Sequence, residues 1–393
     1  MLLLKDLDFK GKRVFLRVDF NVPLDEKGKI RDDTRIRAVI PTLNYLLDQK
    51  AKIIIASHLG RPKGEFNPNL SLKPVARRLA KLISQKVILA PAVIGDEVDN
   101  LKKELRENQV LLLENLRFHT EETNNDSCFA QHLANEVDYY VNDAFGVCHR
   151  AHASVVAITE YVKKSAAGFL VKKEIEYLSR AIHSPEKPYA AILGGVKVSD
   201  KIPVIENLLN KADDILIGGA MAYTFFAAQG FEVGCSLVEE DKKDLALNLL
   251  SHAREKKVNL YLPSDHIAAP AVAPEAEAKT IDAFPIPSDL MALDIGPNTV
   301  RKYSKIITSA KTIFWNGPMG VFEIDKFSHG TMDIAEAVAN SDALSIVGGG
   351  DSVAAVYKAG VSEKISHIST GGGASLEFIA NETLPGIEVL MEK

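Results

Sequence analysis

Short runs rich in β-branched residues alternate along this chain with amphipathic stretches of helix length, and that alternation restricts the fold to parallel sheets covered by helices. The class expected is α/β. In the first half, strands are expected at Arg13–Val18, Lys52–Ala56, Val87–Leu89, Val110–Leu113 and Val137–Val141. In the second half they are expected at Tyr189–Leu193, Asp214–Ile217, Val258–Tyr261, Thr312–Trp315, Ala343–Val347 and Ile365–Ser369. A Lys- and Glu-rich helical pattern over Lys172–Ile182 separates the two sets, and the proline- and alanine-rich segment Ile267–Pro287 reads as a surface excursion. A chain of 393 residues exceeds one ordinary core. Two doubly wound parallel-sheet lobes joined by a hinge helix are therefore expected.

Open parallel sheets bind ligands beyond the carboxyl ends of their strands, so the residues that follow each strand carry the functional information. The two halves differ sharply there. After first-half strands come Asp19-Phe20-Asn21, Ser57-His58-Leu59-Gly60-Arg61, Asn115-Leu116-Arg117 and a stretch ending in His149-Arg150, with Arg35 close by. After second-half strands come Gly194-Gly195-Val196-Lys197 with Lys201, Gly218-Gly219, Asn316-Gly317-Pro318, Gly348-Gly349-Gly350-Asp351-Ser352 and Thr370-Gly371-Gly372-Gly373.

The planar fork of arginine donates paired, charge-assisted hydrogen bonds to one oxyanion. Arg35, Arg61, Arg117 and Arg150 at one rim thus read as a cradle for a small anion rather than as four unrelated surface charges. Glycines between strand and helix let backbone amides approach phosphate. Tight turn closure accounts in part for Gly218-Gly219, but not for the lysines. Lys197 and Lys201 are four residues apart and would share a face of a helix beginning there, and two ammonium groups beside a glycine turn suit a triphosphate. Asp351, at a presumed helix start, suits Mg²⁺, which takes one carboxylate along with phosphate oxygens; an N-cap is its ordinary alternative. Glu323 either accepts from ribose hydroxyls or faces solvent.

Several classes fall away. Neither GxxxxGK[ST] nor GxGxxG occurs, which argues against a P-loop NTPase and against a dinucleotide-binding dehydrogenase. Cys128, Cys148 and Cys235 lack metal or disulfide spacing, and His149 with His152 lacks a third ligand. The net charge of -5 gives no reason to expect nucleic acid or membrane partners. Met1-Leu2-Leu3-Leu4 is too short for a signal peptide, so a cytoplasmic location is expected.

Assembled in order, the segments from Arg17-Val18-Asp19-Phe20-Asn21-Val22-Pro23 to Ser369-Thr370-Gly371-Gly372-Gly373-Ala374-Ser375 resemble the phosphoglycerate kinase family over essentially the whole chain. The resemblance implies reversible in-line phosphoryl transfer between ATP and 3-phosphoglycerate, with Mg²⁺, after hinge closure, in a monomer. It implies a phosphoglycerate side formed by Asp19, Asn21, Arg35, His58, Arg61, Arg117 and Arg150. On the nucleotide side it implies Lys197, Lys201, Gly218, Gly219, Asn316, Pro318, Glu323, Gly348, Gly349, Gly350, Asp351 and Ser352. Arg35, Lys197, Lys201, Gly371 and Gly372 serve the moving phosphoryl group, and Asp351 the metal. The implied division is 1–170 for the first lobe, 171–182 for the connector and 183–375 for the second lobe, the tail from about 376 to 393 returning to the first. Val147-Cys148 before His149, and Val196, depart from the family's more usual small residues without removing a charge. A sensing protein that keeps the scaffold but not the reaction is the alternative, and the transfer residues Arg35, Lys197, Lys201 and Asp351 weigh against it.

Overall fold

The computed structural model describes residues 1–391. The chain divides into two compact units: Met1–Glu176 together with the end of the chain from Thr383, and Tyr177–Glu382. The division falls inside a single helix, Phe169–His183, which extends the helical pattern read from the sequence by three residues at its start and one at its end. At the start of that helix, the buried Asp143 carboxylate accepts hydrogen bonds from the Leu170 and Val171 amides at 2.9 and 3.2 Å.

Strands β1 (Leu2–Leu3), β2 (Arg13–Val18), β3 (Lys52–Ala56), β4 (Val87–Leu89), β5 (Val110–Leu112), β6 (Tyr139–Asp143) and β7 (Lys164–Ala167) form the sheet of the first unit. Their order is β1-β7-β6-β2-β3-β5-β4, and all pairs are parallel. Parallel strands are covered on both faces, which is why Val14–Leu16, Ile53–Ile55 and Val110–Leu112 are uninterrupted apolar runs buried throughout. From β2 the chain builds outward through β3, then returns to β6 on the other side. The topological switch point therefore lies between β2 and β6, and it opens beyond Val18 and Asp143.

The second unit repeats this logic. Strands β8 (Tyr189–Leu193), β9 (Asp214–Ile217) and β10 (Asn259–Tyr261) lie on one side. A separate trio, β11 (His266–Ala269), β12 (Lys279–Ile281) and β13 (Met291–Ile295), follows in the chain before β14 (Thr312–Asn316), β15 (Leu344–Gly348) and β16 (His367–Ile368) complete the main sheet. The main sheet runs β10-β9-β8-β14-β15-β16, entirely parallel, with its switch point between β8 and β14.

Three expectations need correction. The segment read as a surface excursion holds β11 and β12, which pair antiparallel with β13 in the order β12-β11-β13. Several strands also shift: β6 begins at Tyr139 rather than Val137, and β16 shrinks to His367–Ile368. Finally, the return to the first unit, expected from about residue 376, falls inside the helix Gly373–Asn381. That helix packs on Ile202–Leu208, and the Asn207 side chain donates to the Ala380 carbonyl at 3.3 Å. The chain rejoins the first unit at Thr383, where the Gly386 amide donates to the Cys148 carbonyl at 2.9 Å.

Candidate functional site

In the first unit, the switch point collects the basic rim. Asp19, just after β2, accepts a hydrogen bond from Arg35 at 3.0 Å and one from the Asn21 amide at 3.1 Å. The Asn21 carbonyl also accepts from Arg35, at 3.1 Å, and its side-chain oxygen accepts from the Gly60 amide at 2.8 Å. The Gly60 carbonyl in turn accepts from Arg117 at 2.9 Å. Four segments of chain are thereby tied into one rim, and Gly60 can take its left-handed φ of 63° because it has no side chain. Arg150, half-buried, donates to the His149 ring at 3.0 Å. Arg61 is exposed at the edge and is drawn into none of these bonds.

Behind the rim lies a fully buried ion network. The Arg17 guanidinium donates to the Ser154 hydroxyl at 2.7 Å and stands 3.8 Å from the Glu122 carboxylate, which accepts from Ser154 Oγ and N at 2.6 and 3.0 Å. This field dictates the state of the histidines. Burial, reinforced by the neighbouring arginines, lowers His149 to about 4, His152 to about 3 and His58 well below its ordinary value. Burial, with Arg150 and Arg17, brings even Arg117 down to about 10. With the three histidines held neutral, the positive charge of the rim comes from its arginines. Among the described residues no group of three or more His, Cys, Asp or Glu is placed to hold a metal ion.

In the second unit, the loops after β8 and β14 cross at the switch point. The Gly194 and Gly195 amides donate to the Asn316 and Pro318 carbonyls at 2.9 and 3.0 Å. This approach demands glycine. A Cβ on Gly317 would lie 2.2 Å from the Gly194 carbonyl oxygen, and one on Gly219 would lie 2.5 Å from Gly195 backbone atoms.

Two cavities flank the crossing. One of about 320 Å³ is polar and is lined by Lys197, Asp200, Lys201, Asn316, Gly349, Gly350, Asp351, Ser352, Gly372 and Gly373 among others. The first turns of Gly350–Lys358 and Gly373–Asn381 face it, and helix N-termini carry partial positive charge. The Lys201 ammonium donates to the Asn316 side chain, whose amide donates to the Gly348 carbonyl at 2.7 Å. Burial lowers the Lys201 pKa, while Asp200 and Asp351 oppose the shift. The other cavity, of about 300 Å³, has walls of Tyr223, Leu237, Val272, Met291, Leu293, Val321 and other residues. Glu323 lies at its edge, and the two cavities share Gly195, Val196, Pro318 and Asp351.

The structure brings most of the expected nucleotide residues to these cavities, by a different local route from the one expected. Lys197 and Lys201 do not share a helix face. The helix begins at Ile202, with Lys201 as its N-cap residue, and the preceding residues form an irregular loop fixed by Ser199 Oγ donating to Glu239 at 2.5 Å. Gly218 and Gly348 line neither cavity; their faces abut Met319 and Ser375. The Gly371 amide donates to the Ser369 hydroxyl at 3.1 Å, whereas Gly372 lines the polar cavity. Sequence reading passed over Arg17, Glu122 and Ser154, and over the whole apolar wall. Arg17, interrupting the apolar run from Val14 to Val18 in β2, was the one available signal for the first group. For Met291 and Leu293, ordinary core packing was the natural reading.

An anion rim at one switch point and a nucleotide-sized pair of cavities at another define an α/β phosphotransferase. A family model described as phosphoglycerate kinase matches residues 4–382. Proteins named phosphoglycerate kinase from Anaeromyxobacter sp. (strain Fw109-5) and Koribacter versatilis (strain Ellin345) are each 56% identical, the first over 98% of both chains and the second over 100% of this chain and 99% of its own. The solved phosphoglycerate kinase structure from Coxiella burnetii superposes with a TM-score of 0.90 at 42% identity, covering 100% of this chain and 99% of that one. The corresponding structure from Pyrococcus horikoshii OT3 gives 0.85 at 38% identity, with 100% and 98% coverage. The chain belongs to the phosphoglycerate kinase family.

Proposed function

We propose that this kinase transfers a phosphoryl group between ATP, held in the second unit, and the carboxylate of 3-phosphoglycerate, held in the first. The continuity of the apolar and cationic cavities through Gly195, Val196, Pro318 and Asp351 carries the nucleotide half of this reading, because an adenosine needs one and a triphosphate the other. Asp19, Asn21, Arg35, His58, Arg61, Arg117 and Arg150 bind the phosphoglycerate. Lys197, Lys201, Asn316, Ser352 and the glycine loops bind phosphates. Asp351 is exposed and in no ion pair among the described residues, and a lone carboxylate suits Mg²⁺, which takes its other ligands from phosphate and water. Bound there, the metal would neutralise phosphate charge.

The acceptor carboxylate is deprotonated at neutral pH, so no general base is required. Catalysis then rests on alignment and on charge stabilisation of the transferring group by Lys201, Arg35 and the amide of Gly372, with Gly371 joining once its Ser369 contact is released. A coupled assay of Mg²⁺- and ATP-dependent phosphorylation of 3-phosphoglycerate tests the reading. Absence of turnover in protein that binds both ligands would leave the sensor alternative. Three free cysteines, two of them exposed, support a reducing cytoplasmic location, and no helix among the described residues is long and apolar enough to cross a membrane.

Glu323→Ala is expected to raise the KM for nucleotide with little change in kcat, because a ribose hydroxyl is bonded alike in ground and transition states. A fall in kcat at constant nucleotide KM would contradict the ribose role. Reacting atoms must approach to about 3 to 3.5 Å, and the two ligands belong to different units, so closure on binding both is part of the proposal. Small-angle scattering is expected to show a monomer mass, and a radius of gyration that falls more with 3-phosphoglycerate plus an inert ATP analogue than with either alone. An unchanged radius in saturated, active enzyme would argue against closure.

A further inference from the structure

The first unit carries a second concentration of positive charge that none of the proposed site residues explains. A groove of about 560 Å³ lies between the loop before the helix Thr34–Asp48 and the helix Lys73–Leu82. Its walls carry Lys27, Lys29, Arg31, Arg77, Arg78 and Lys81, against a single acid, Asp33. That acid is already neutralised, because Arg78 stands 2.6 Å from its Oδ2 and Arg37 stands 2.9 Å from its Oδ1. The other five cations form no ion pair among the described residues, in a protein whose net charge is -5.

The helical wall is arranged as a line. Lys73, Arg77 and Lys81 are spaced by four residues and are all exposed, so they share one face over about 12 Å. Like charges at that spacing repel each other and disfavour the helix. Within the groove the facing loop adds no further acid: the Asp25 carboxylate accepts from the Lys27 and Lys29 amides at 2.9 and 2.8 Å, and Glu26 lines the adjoining cavity instead. A neighbouring cavity shares Lys27, Gly28, Pro74 and Arg77 with the groove and runs on toward Asn21 and Gly60. Two cationic walls with a long open trough between them suit an extended anion with several charges, and offer little to a compact monoanion.

We propose that this groove binds a linear triphosphate chain, from a nucleotide or from inorganic polyphosphate. The proposal stands independently of the assignments for catalysis, because none of the six groove cations belongs to them. The test is calorimetric titration of the intact protein with sodium tripolyphosphate, in metal-free buffer containing saturating 3-phosphoglycerate and ADP, so that both proposed substrate sites are filled. One binding event is expected, weakening as salt is raised. In the Arg77→Glu/Lys81→Glu variant it should be at least about tenfold weaker, while kcat and both KM values stay at wild-type levels and thereby report an intact fold. Orthophosphate should bind at least about tenfold more weakly than tripolyphosphate to the wild type. GTP binding as tightly as tripolyphosphate would assign recognition to the phosphate chain from either source, and binding of tripolyphosphate alone would assign the groove to the inorganic chain. No saturable binding, equal affinity in the variant, or equal affinity for orthophosphate would overturn the proposal.

Discussion

Lys201→Ala is expected to lower kcat by roughly a hundred- to a thousandfold, with much smaller changes in either KM, and Arg35→Ala to act likewise. The reason is position. Lys201 lines the polar cavity with Asn316, Gly372 and Asp351, and its ammonium is held by a hydrogen bond to Asn316 rather than free to follow solvent. Arg35 is oriented in the same way by Asp19 and the Asn21 carbonyl. Charge fixed in advance where negative charge develops stabilises the transition state without reorganisation, and losing one such donor typically costs about 3 to 4 kcal/mol. Lys201→Arg should recover little, because a planar guanidinium cannot reproduce a point charge at the N-cap of Ile202–Leu208. Steady-state kinetics on both variants checks this. Near-normal kcat with raised KM would reassign the two residues to ground-state binding.

Asp294 warns against reading every carboxyl near these cavities as catalytic. It lines the apolar wall, yet burial raises its pKa to about 8, and it accepts from the Gly330 and Ile295 amides at 2.7 and 2.9 Å. Its geometry is that of a brace between β13 and the start of the helix His329–Ala339.

The sequence was most legible where strands end, because the parallel fold gathers loop residues there: Asp19 and Gly195 stand beyond β2 and β8 as read, and Asn316, read as following β14, is its last residue. Local geometry was less legible. Placing Lys197 and Lys201 on one helix overlooked Pro203, which fits the first turn of a helix beginning at Ile202 but would break one beginning near Lys197, at about 3 kcal/mol. The antiparallel trio was obscured by prolines and by the shortness of β12, only three residues with its side chains largely exposed. The apolar wall of the second cavity was invisible for another reason. Nothing in the types of Leu237, Met291 and Leu293 distinguishes a cavity lining from a core, since only tertiary placement leaves space beside them.

The pairing of Arg17 with Glu122 was out of reach of any local pattern, and it leads to the largest stability effect expected here. Both side chains are fully buried, and Glu122 is the nearest carboxylate to a guanidinium whose Nη2 has no hydrogen-bond partner. Glu122→Ala therefore leaves a buried, uncompensated cation and removes the acceptor for Ser154 Oγ and N. Breaking a buried pair in this way costs about 3 to 5 kcal/mol. The double replacement Arg17→Met/Glu122→Leu removes both charges and should recover much of the loss, since apolar pairs of similar volume often match buried ion pairs. The loss should be confined to the first unit, and the chain provides a means of seeing that. Its single tryptophan, Trp315, lies buried in the second unit, with its indole donating to the Gly317 carbonyl at 2.8 Å. Urea unfolding of Glu122→Ala should show an early transition by far-ultraviolet circular dichroism that Trp315 fluorescence does not follow, and the double variant should move that transition back toward the wild-type midpoint. Wild-type unfolding by circular dichroism in Glu122→Ala would mean that water or a bound anion compensates Arg17, and a double variant no more stable than the single would mean that Glu122 acts through Ser154 alone.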